Sequence, residues 1–121
     1  MSGIARLTTV ILDCPDPRAL AEFYSALTGW KIVDGDDEDW IDLSGDAGIQ
    51  LSFQRATDHQ PPRWPDPGHP QQFHLDLEVE DLDETEVKVI AIGATKASVQ
   101  PGRSFRVFTD PAGHPFCLCV N

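Results

Sequence analysis

The sequence is short of positive charge and of long apolar runs, and each shortage excludes a class of protein. Nine lysines and arginines stand against 20 aspartates and glutamates, which gives a net charge of −11. A surface of that charge repels phosphate groups, so neither nucleic acid nor an anionic membrane is expected as a partner. No apolar run approaches the ~20 residues of a membrane-spanning helix, and no basic-then-apolar leader is recognisable. A cytoplasmic protein is therefore expected.

Cysteine is also scarce, with only Cys14, Cys117 and Cys119 in the chain. An odd number without zinc-finger spacing predicts reduced thiols rather than a disulfide scaffold. Cys117 and Cys119 share one face of a predicted strand, with their Cα atoms at or beyond the usual bridging distance. A redox pair is therefore not expected, and small side chains lining a cavity are the favoured interpretation.

The chain does have enough apolar residues for a core, because 40% of its 121 residues are hydrophobic. This length suits one domain and leaves no room for two ordinary ones. We expect a single domain over 1–121, made of a first module at about 5–54, a linker at 55–72 and a second module at about 73–121.

The first half begins with a β-branched stretch at 8–13, which predicts a strand. Asp16 is a plausible helix N-cap, and Pro17 then occupies the first helical position, where its missing N–H has no consequence. Apolar residues then recur at helical spacing until Gly29, a natural helix stop. Three further strand-like stretches follow, at 30–33, 40–43 and 48–53.

The second half repeats this order, starting from an apolar/polar alternation at 73–79. Asp81 followed by Glu84 is a capping pattern and predicts a helix that ends at Gly93, although 87–90 is also compatible with a strand. Strand-like stretches follow at 95–98, 105–109 and 115–120. Each half is therefore predicted to be β-α-β-β-β.

The proline-rich linker at 55–72 separates the two halves. Its five prolines exclude a central strand or a helix. Trp64 and His69 in this segment are interpreted as packed or exposed residues, or alternatively as the cover of a cavity edge.

Three stretches resemble a known family. Residues 16–24 with 27–30 combine a Phe-Tyr pair with a Leu-x-Gly-aromatic helix end, 74–77 resembles the strand that opens a second module, and 110–116 contains an Asp-Pro-x-Gly turn. In order and at this spacing they resemble the glyoxalase-like domains of the vicinal oxygen chelate superfamily (glyoxalase, bleomycin resistance protein, dihydroxybiphenyl dioxygenase). The resemblance implies an α+β fold, two βαβββ modules curled as a mixed sheet around a cavity with helices on the convex face, and a homodimer.

The resemblance also implies where a metal would be bound in metal-dependent members. The corresponding positions are Thr9, Gln50, His74 and Cys117, and of these only His74 carries the side chain that the family pattern asks for. No carboxylate remains among the four to offset a divalent charge. No metal and no cofactor are therefore expected, and a divalent metal held by His74, Gln50 and Cys117 is the alternative.

Alternation along the predicted strands divides residues that pack under the helices from residues that face a cavity. The cavity-facing set is polar and acidic, as a solvated pocket should be. It supplies the candidate ligand-binding residues: Trp40, Gln50, Ser52, His74, Asp76 and Cys117. Trp40 is interpreted as core or as a ligand platform. His74 is interpreted as a hydrogen-bonded cavity residue, as a ligand contact or as a catalytic general base.

Three functions remain open at this point. The favoured hypothesis is a small-molecule-binding protein that sequesters a cationic or aromatic compound, as the acidic bleomycin-resistance proteins of the family do. The second is a lyase, isomerase or dioxygenase of the glyoxalase type, either metal-dependent or with His74 as the base. The third is a non-catalytic scaffold domain whose cavity is too small or too dry for a ligand.

Overall fold

The computed structural model of the protein describes residues 3–33 and 35–120. The chain divides into two compact units, Met1–His59 and Gln60–Asn121. The division falls inside the predicted linker. None of the helices among the described residues is long and apolar enough to cross a membrane.

The first unit has the predicted order of elements. They are β1 (Thr9–Cys14), α1 (Pro17–Thr28), β2 (Lys31–Val33), β3 (Trp40–Ser44), a 3₁₀ turn (Asp46–Gly48) and β4 (Gln50–Arg55). The strands form one sheet in the order β1-β4-β3-β2. Strand β1 runs parallel to β4, whereas the other neighbours are antiparallel, so the sheet is mixed.

Helix α1 begins and ends where the sequence predicts. The Asp16 side chain accepts a hydrogen bond from the Ala19 N–H at 3.2 Å, and Gly29 ends the helix in the left-handed region at φ 78°. Its buried face packs on the sheet through aromatic contacts: the ring of Tyr24 stacks on that of Phe53 at 5.7 Å. Both residues are at most 1% exposed, so they form the centre of this unit's core.

Strand β4 continues two residues beyond the predicted end at 53. The Arg55 N–H donates to the Asp39 carbonyl at 2.8 Å, and the Arg55 guanidinium donates to the Asp39 carboxylate at 2.7 Å and to the Pro15 carbonyl at 2.6 Å. These bonds hold the strand end between two loops, which alternation along the strand does not reveal.

The second unit repeats the pattern. Its elements are β5 (Leu75–Glu78), α2 (Leu82–Ala91), β6 (Thr95–Lys96), β7 (Phe105–Thr109) and β8 (Pro115–Cys119). The sheet order is β5-β8-β7-β6, with β5 parallel to β8 and the remaining neighbours antiparallel. The predicted α+β class and the two βαβββ modules with mixed sheets are confirmed.

Helix α2 is a helix and not the alternative strand at 87–90. Asp81 caps it by accepting from the Glu84 N–H at 3.0 Å. Val89 is its one fully buried residue among those described. On the outer side, Arg106 of β7 donates to Glu86 at 3.0 Å and to Asp83 at 2.6 Å, so ion pairs supplement a narrow apolar contact.

Strand β5 starts at Leu75, two residues later than predicted. Leu75 pairs with Phe116, so the next position towards the start of β8 is Pro115, which has no N–H to donate to the ladder. His74 therefore lies immediately before the strand, on the exposed side of the chain.

Candidate ligand pocket

A pocket of about 280 Å³ lies on the sheet of the second unit. Half of its lining is apolar: Trp64, Pro101, Phe105, Val107 and Pro115. The other half carries polar or sulfur atoms: Gln71, His74, Asp76, Cys117 and Cys119. The volume is near the lower end of the range for small-molecule sites, so it suits a compact ligand.

Strand register brings the sheet part of the pocket together. Asp76 pairs with Cys117 across the parallel β5–β8 ladder, and Cys117 pairs with Val107 across the antiparallel β8–β7 ladder. The next row towards the end of β8 pairs Cys119 with Phe105. Because side chains two apart on a strand share a face, both rows point into the same pocket.

Two of the lining residues, His74 and Asp76, form a pair. Nε2 of His74 lies 3.1 Å from Oδ1 of Asp76, and their side chains are 39% and 63% exposed. The ligand atoms of these two residues and of Cys117 all lie within 4.8 Å of one another. Nitrogen, oxygen and sulfur donors thus converge on one point.

The Cys117 thiol is held in its protonated form. Burial, as the larger cause, and the negative charge of Asp76 together raise its pKa to about 11. The pKa of Cys119 is raised too, by burial first and then by Asp76. Neither thiol is an activated nucleophile in the unliganded protein.

Gln71 contributes an unusual group to the pocket. Its Oε1 atom is buried and has no hydrogen-bond partner among the described residues. A buried acceptor without a partner loses roughly 1–3 kcal/mol of hydration that nothing returns.

The predicted ligand-binding residues are divided between the two units. The second unit brings His74, Asp76 and Cys117 together, as described above. In the first unit, the Trp40 indole N–H donates to Oδ1 of Asp42 at 2.7 Å, and the Ser52 hydroxyl donates to the same oxygen at 2.5 Å. Ser52 is fully buried, so its hydroxyl is engaged by the protein itself.

Gln50 is exposed and is paired in register with Thr9 across β1 and β4. A hydroxyl and a neutral amide are weak ligands for a divalent cation and bring no charge. The four positions that the family uses for its metal therefore do not fit such an ion in this chain. The second unit instead brings together three groups of its own, the imidazole of His74, the carboxylate of Asp76 and the thiol of Cys117.

Sequence reasoning missed Gln71 and Phe105 as pocket residues and left Trp64 undecided. Phe105 belongs to a predicted strand and, as the pairing partner of Cys119, could have been found from the strand register. Gln71 and Trp64 lie in the proline-rich segment, which has no periodicity from which to read a direction. The Arg63 N–H, which donates to the His69 carbonyl at 2.7 Å, closes a loop around Trp64. His69 is exposed and pairs with Asp66.

Comparisons with solved structures agree with this architecture. A glyoxalase/bleomycin resistance protein/dioxygenase family enzyme from Burkholderia phytofirmans PsJN matches at a TM-score of 0.74 and 17% identity, over 96% of this chain and 98% of its own. A glyoxalase-related enzyme from Fulvimarina pelagi matches at 0.71 and 18%, over 98% and 89%. Oxidase ChaP-H2 matches at 0.68 and 17%, over 98% and 95%.

These identities are low, so the structural matches establish the fold and leave the activity open. No curated protein matches the sequence. The model of the glyoxalase-like domain family matches residues 9–119, from the first strand to the last. The chain therefore belongs to the glyoxalase-like domain family of the vicinal oxygen chelate superfamily.

Proposed function

We propose that the protein binds a small aromatic or cationic compound with an N–H donor, in the pocket of the second unit. The observation that carries the proposal is the pocket itself, whose lining combines the aromatic side chains of Trp64 and Phe105 with Gln71, whose Oε1 is a buried acceptor without a partner among the described residues. Apolar walls with a few directed polar groups are typical of small-molecule sites. A volume of about 280 Å³ also favours binding over a packing remnant.

Charge supports a cationic ligand over an anionic one. The chain carries a net charge of −11, and the exposed Asp76 carboxylate lines the pocket. No lysine or arginine belongs to the described residues that line the pocket. An anion would therefore be repelled at the site and across the surface around it.

Three probes of equal size test both parts of this proposal. Benzamidinium is cationic with N–H donors, benzamide is neutral with N–H donors, and benzoate is anionic without donors. We expect affinity to fall in that order, with benzoate at least about tenfold weaker than benzamide because it leaves Gln71 unpaired. Binding is measured by calorimetry and by fluorescence of Trp64, with Trp64→Phe removing the fluorescence response.

Gln71→Leu removes the acceptor while keeping similar volume, and it should reduce the preference for benzamide over benzoate. Gln72→Leu is the matched control, because Gln72 is exposed and does not line the pocket. Absence of binding by all three probes at millimolar concentration would count against the proposal. So would a Gln71→Leu variant with an unchanged order of affinities.

A metal-independent enzyme of the glyoxalase type is the second candidate function. The observation in its favour is the 3.1 Å approach of Asp76 to Nε2 of His74, because a carboxylate can orient an imidazole that acts as a general base. Deuterium exchange at the acidic α-carbon of a bound carbonyl compound would detect such a base by NMR. Exchange that is absent, or that survives in His74→Gln, would contradict this role.

A further inference from the structure

We propose that the pocket of the second unit accepts fused two-ring aromatic compounds, and that Gly102 determines this size by leaving room for the ring of Phe105. The inference rests on the proposed function, because it names the class of ligand for the same pocket. An apolar cavity of about 150 Å³ holds a single benzene ring. The pocket has about 280 Å³, so a second fused ring has room beside the first.

The ring of Phe105 lies directly against the main chain at Gly102. A Cβ atom added at Gly102 would lie 2.7 Å from both Cδ1 and Cζ of that ring, and closer still to Cε1. Real Cβ atoms essentially never come within 3.0 Å of such a neighbour, so any side chain at this position requires a displacement. Phe105 lines the pocket, whereas Gly102 does not. Gly102 therefore acts on the pocket through the ring of Phe105.

The main chain that precedes Gly102 is anchored by the side chain of Gln100. Its Nε2 donates to the carbonyl oxygens of Ala97 and Val107, both at 2.8 Å. Its Oε1 accepts from the Val107 N–H at 2.9 Å. Since Val107 belongs to strand β7, these three bonds tie the approach to Gly102 to the sheet.

The main chain that follows Gly102 is held as well. The Ser104 carbonyl accepts from the Val120 N–H at 3.0 Å, and Phe105 then begins β7. Turning a side chain about χ1 breaks none of these bonds, so a methyl group added at Gly102 displaces the ring of Phe105 and leaves the chain in place. The pocket is the open space that this ring lines, so the displaced ring takes up room that a ligand would use.

Two probes with the same cationic head group isolate the size of the ring system. Benzamidinium has one ring and 2-naphthamidinium has two fused rings. In the wild-type protein, calorimetry should show 2-naphthamidinium bound at least about tenfold more tightly, because the second ring buries more apolar surface. In Gly102→Ala, the affinity for 2-naphthamidinium should fall at least about tenfold, while that for benzamidinium changes less than about threefold.

Gly35→Ala is the matched control. A Cβ atom added at Gly35 meets nothing within 4 Å, so this variant should bind both probes as the wild type does. Phe105→Val removes all three ring atoms that approach Gly102 and keeps a residue that suits a strand. In that background Gly102→Ala should change the affinity for 2-naphthamidinium by less than about twofold.

The outcomes separate this inference from the proposed function. A wild-type protein that binds benzamidinium at least as tightly as 2-naphthamidinium would overturn the inference alone. So would a Gly102→Ala variant that weakens both probes equally, or one whose effect persists in Phe105→Val. Absence of binding by either probe would refute the proposed function and this inference with it.

Circular dichroism and thermal melting establish that each variant is folded. If Gly102→Ala does not fold, Gly102→Ala/Phe105→Val should fold, because the overlapping ring is gone. A double variant that is equally unfolded would refute the role assigned to the ring of Phe105.

Discussion

Nε2 of His74 lies 3.1 Å from Oδ1 of Asp76, and both residues line the same pocket as the buried Cys117. The Asp76 carboxylate therefore acts on two neighbours, an imidazole and a thiol. Its effect on the thiol can be measured without knowing any ligand, because thiol chemistry reports the local charge directly.

Asp76→Asn should make the Cys117 thiol more reactive in metal-free protein. With the thiol pKa at about 11, only about one molecule in a thousand is the thiolate at pH 8. Removing the negative charge of Asp76 lowers that pKa, although burial, its larger cause, remains. We expect the rate of alkylation by iodoacetamide, followed by peptide mass spectrometry, to rise several-fold.

The alkylation rate of wild-type Cys117 should also rise about tenfold per pH unit between pH 8 and 10. The same protein unfolded in urea is the control, and there both variants should react alike. A rate that is independent of Asp76, or that levels off below pH 9, would contradict the environment described for Cys117.

Glu86→Gln should destabilise the protein at neutral pH and lose its effect in acid. Hydrogen bonds from Lys96 first, and then from Arg106, lower the pKa of Glu86 from its usual 4.5. A carboxyl whose folded pKa is lowered contributes stability above about pH 4.5, and loses it as the pH falls through the folded value. With Glu86 only 22% exposed, we expect a loss of about 1 kcal/mol at pH 7, or about 4 °C in Tm.

Glu84→Gln is the matched control for this prediction. Glu84 lies on the same helix and pairs with Lys88, but the two side chains are 66% and 73% exposed. Such a pair contributes only about 0.3–0.5 kcal/mol. At pH 7, Glu86→Gln should melt at a lower temperature than Glu84→Gln, and at pH 3 the two variants should melt alike. A Glu86→Gln variant that is destabilised equally at both pH values would contradict a charge-based role.

Asp42→Ala should destabilise the first unit strongly. It leaves the Trp40 indole N–H and the fully buried Ser52 hydroxyl without the acceptor that they share. Leaving buried donors unpaired costs about 1–3 kcal/mol. Chemical denaturation followed by far-ultraviolet circular dichroism measures this loss.

A double-mutant cycle isolates the Asp42–Ser52 bond. Ser52→Ala removes the hydroxyl that Asp42→Ala leaves without an acceptor. The double variant Asp42→Ala/Ser52→Ala should therefore lose about 1 kcal/mol less free energy of unfolding than the two single variants lose together. Additive effects would mean that the 2.5 Å contact contributes no coupling.

Asp16→Ala and Asp81→Ala should each cost about 1 kcal/mol, because each aspartate caps the start of a helix by accepting a backbone N–H. Asn retains a capping oxygen, so Asp16→Asn and Asp81→Asn should recover most of the loss. Thermal melting of the four variants tests this. Equal destabilisation by Ala and Asn would indicate that charge, and not the cap, is what matters.

The helices were predictable because their signals are local. The Asp16 and Asp81 caps and the Gly29 stop act within one turn of the chain, and all three do so in the structure. The end of β4 and the start of β5 were less predictable. The bonds of Arg55 to Asp39 and the position of Pro115 opposite His74 depend on residues far away in sequence.

The candidate site was only partly predictable, for the same reason. Alternation placed Asp76 and Cys117 on the pocket side of their strands, and both line the pocket. Alternation also grouped Ser52 with the ligand-binding residues, but its hydroxyl is buried against Asp42. Whether Ser52 ever contacts a ligand stays a prediction.

The sequence by itself determined the family, the repeated βαβββ order, the start of each helix and the end of α1, since caps, periodicity and turn residues act between near neighbours; α2 ends at Ala91, two residues before the predicted stop at Gly93. Only the tertiary structure decided what the pocket contains. The pairing of β5 with β8 puts Asp76 beside Cys117, and the folding of the proline-rich segment brings Trp64 and the unpartnered Gln71 to the same pocket. Both depend on contacts between residues distant in the chain, where no local pattern specifies the partner.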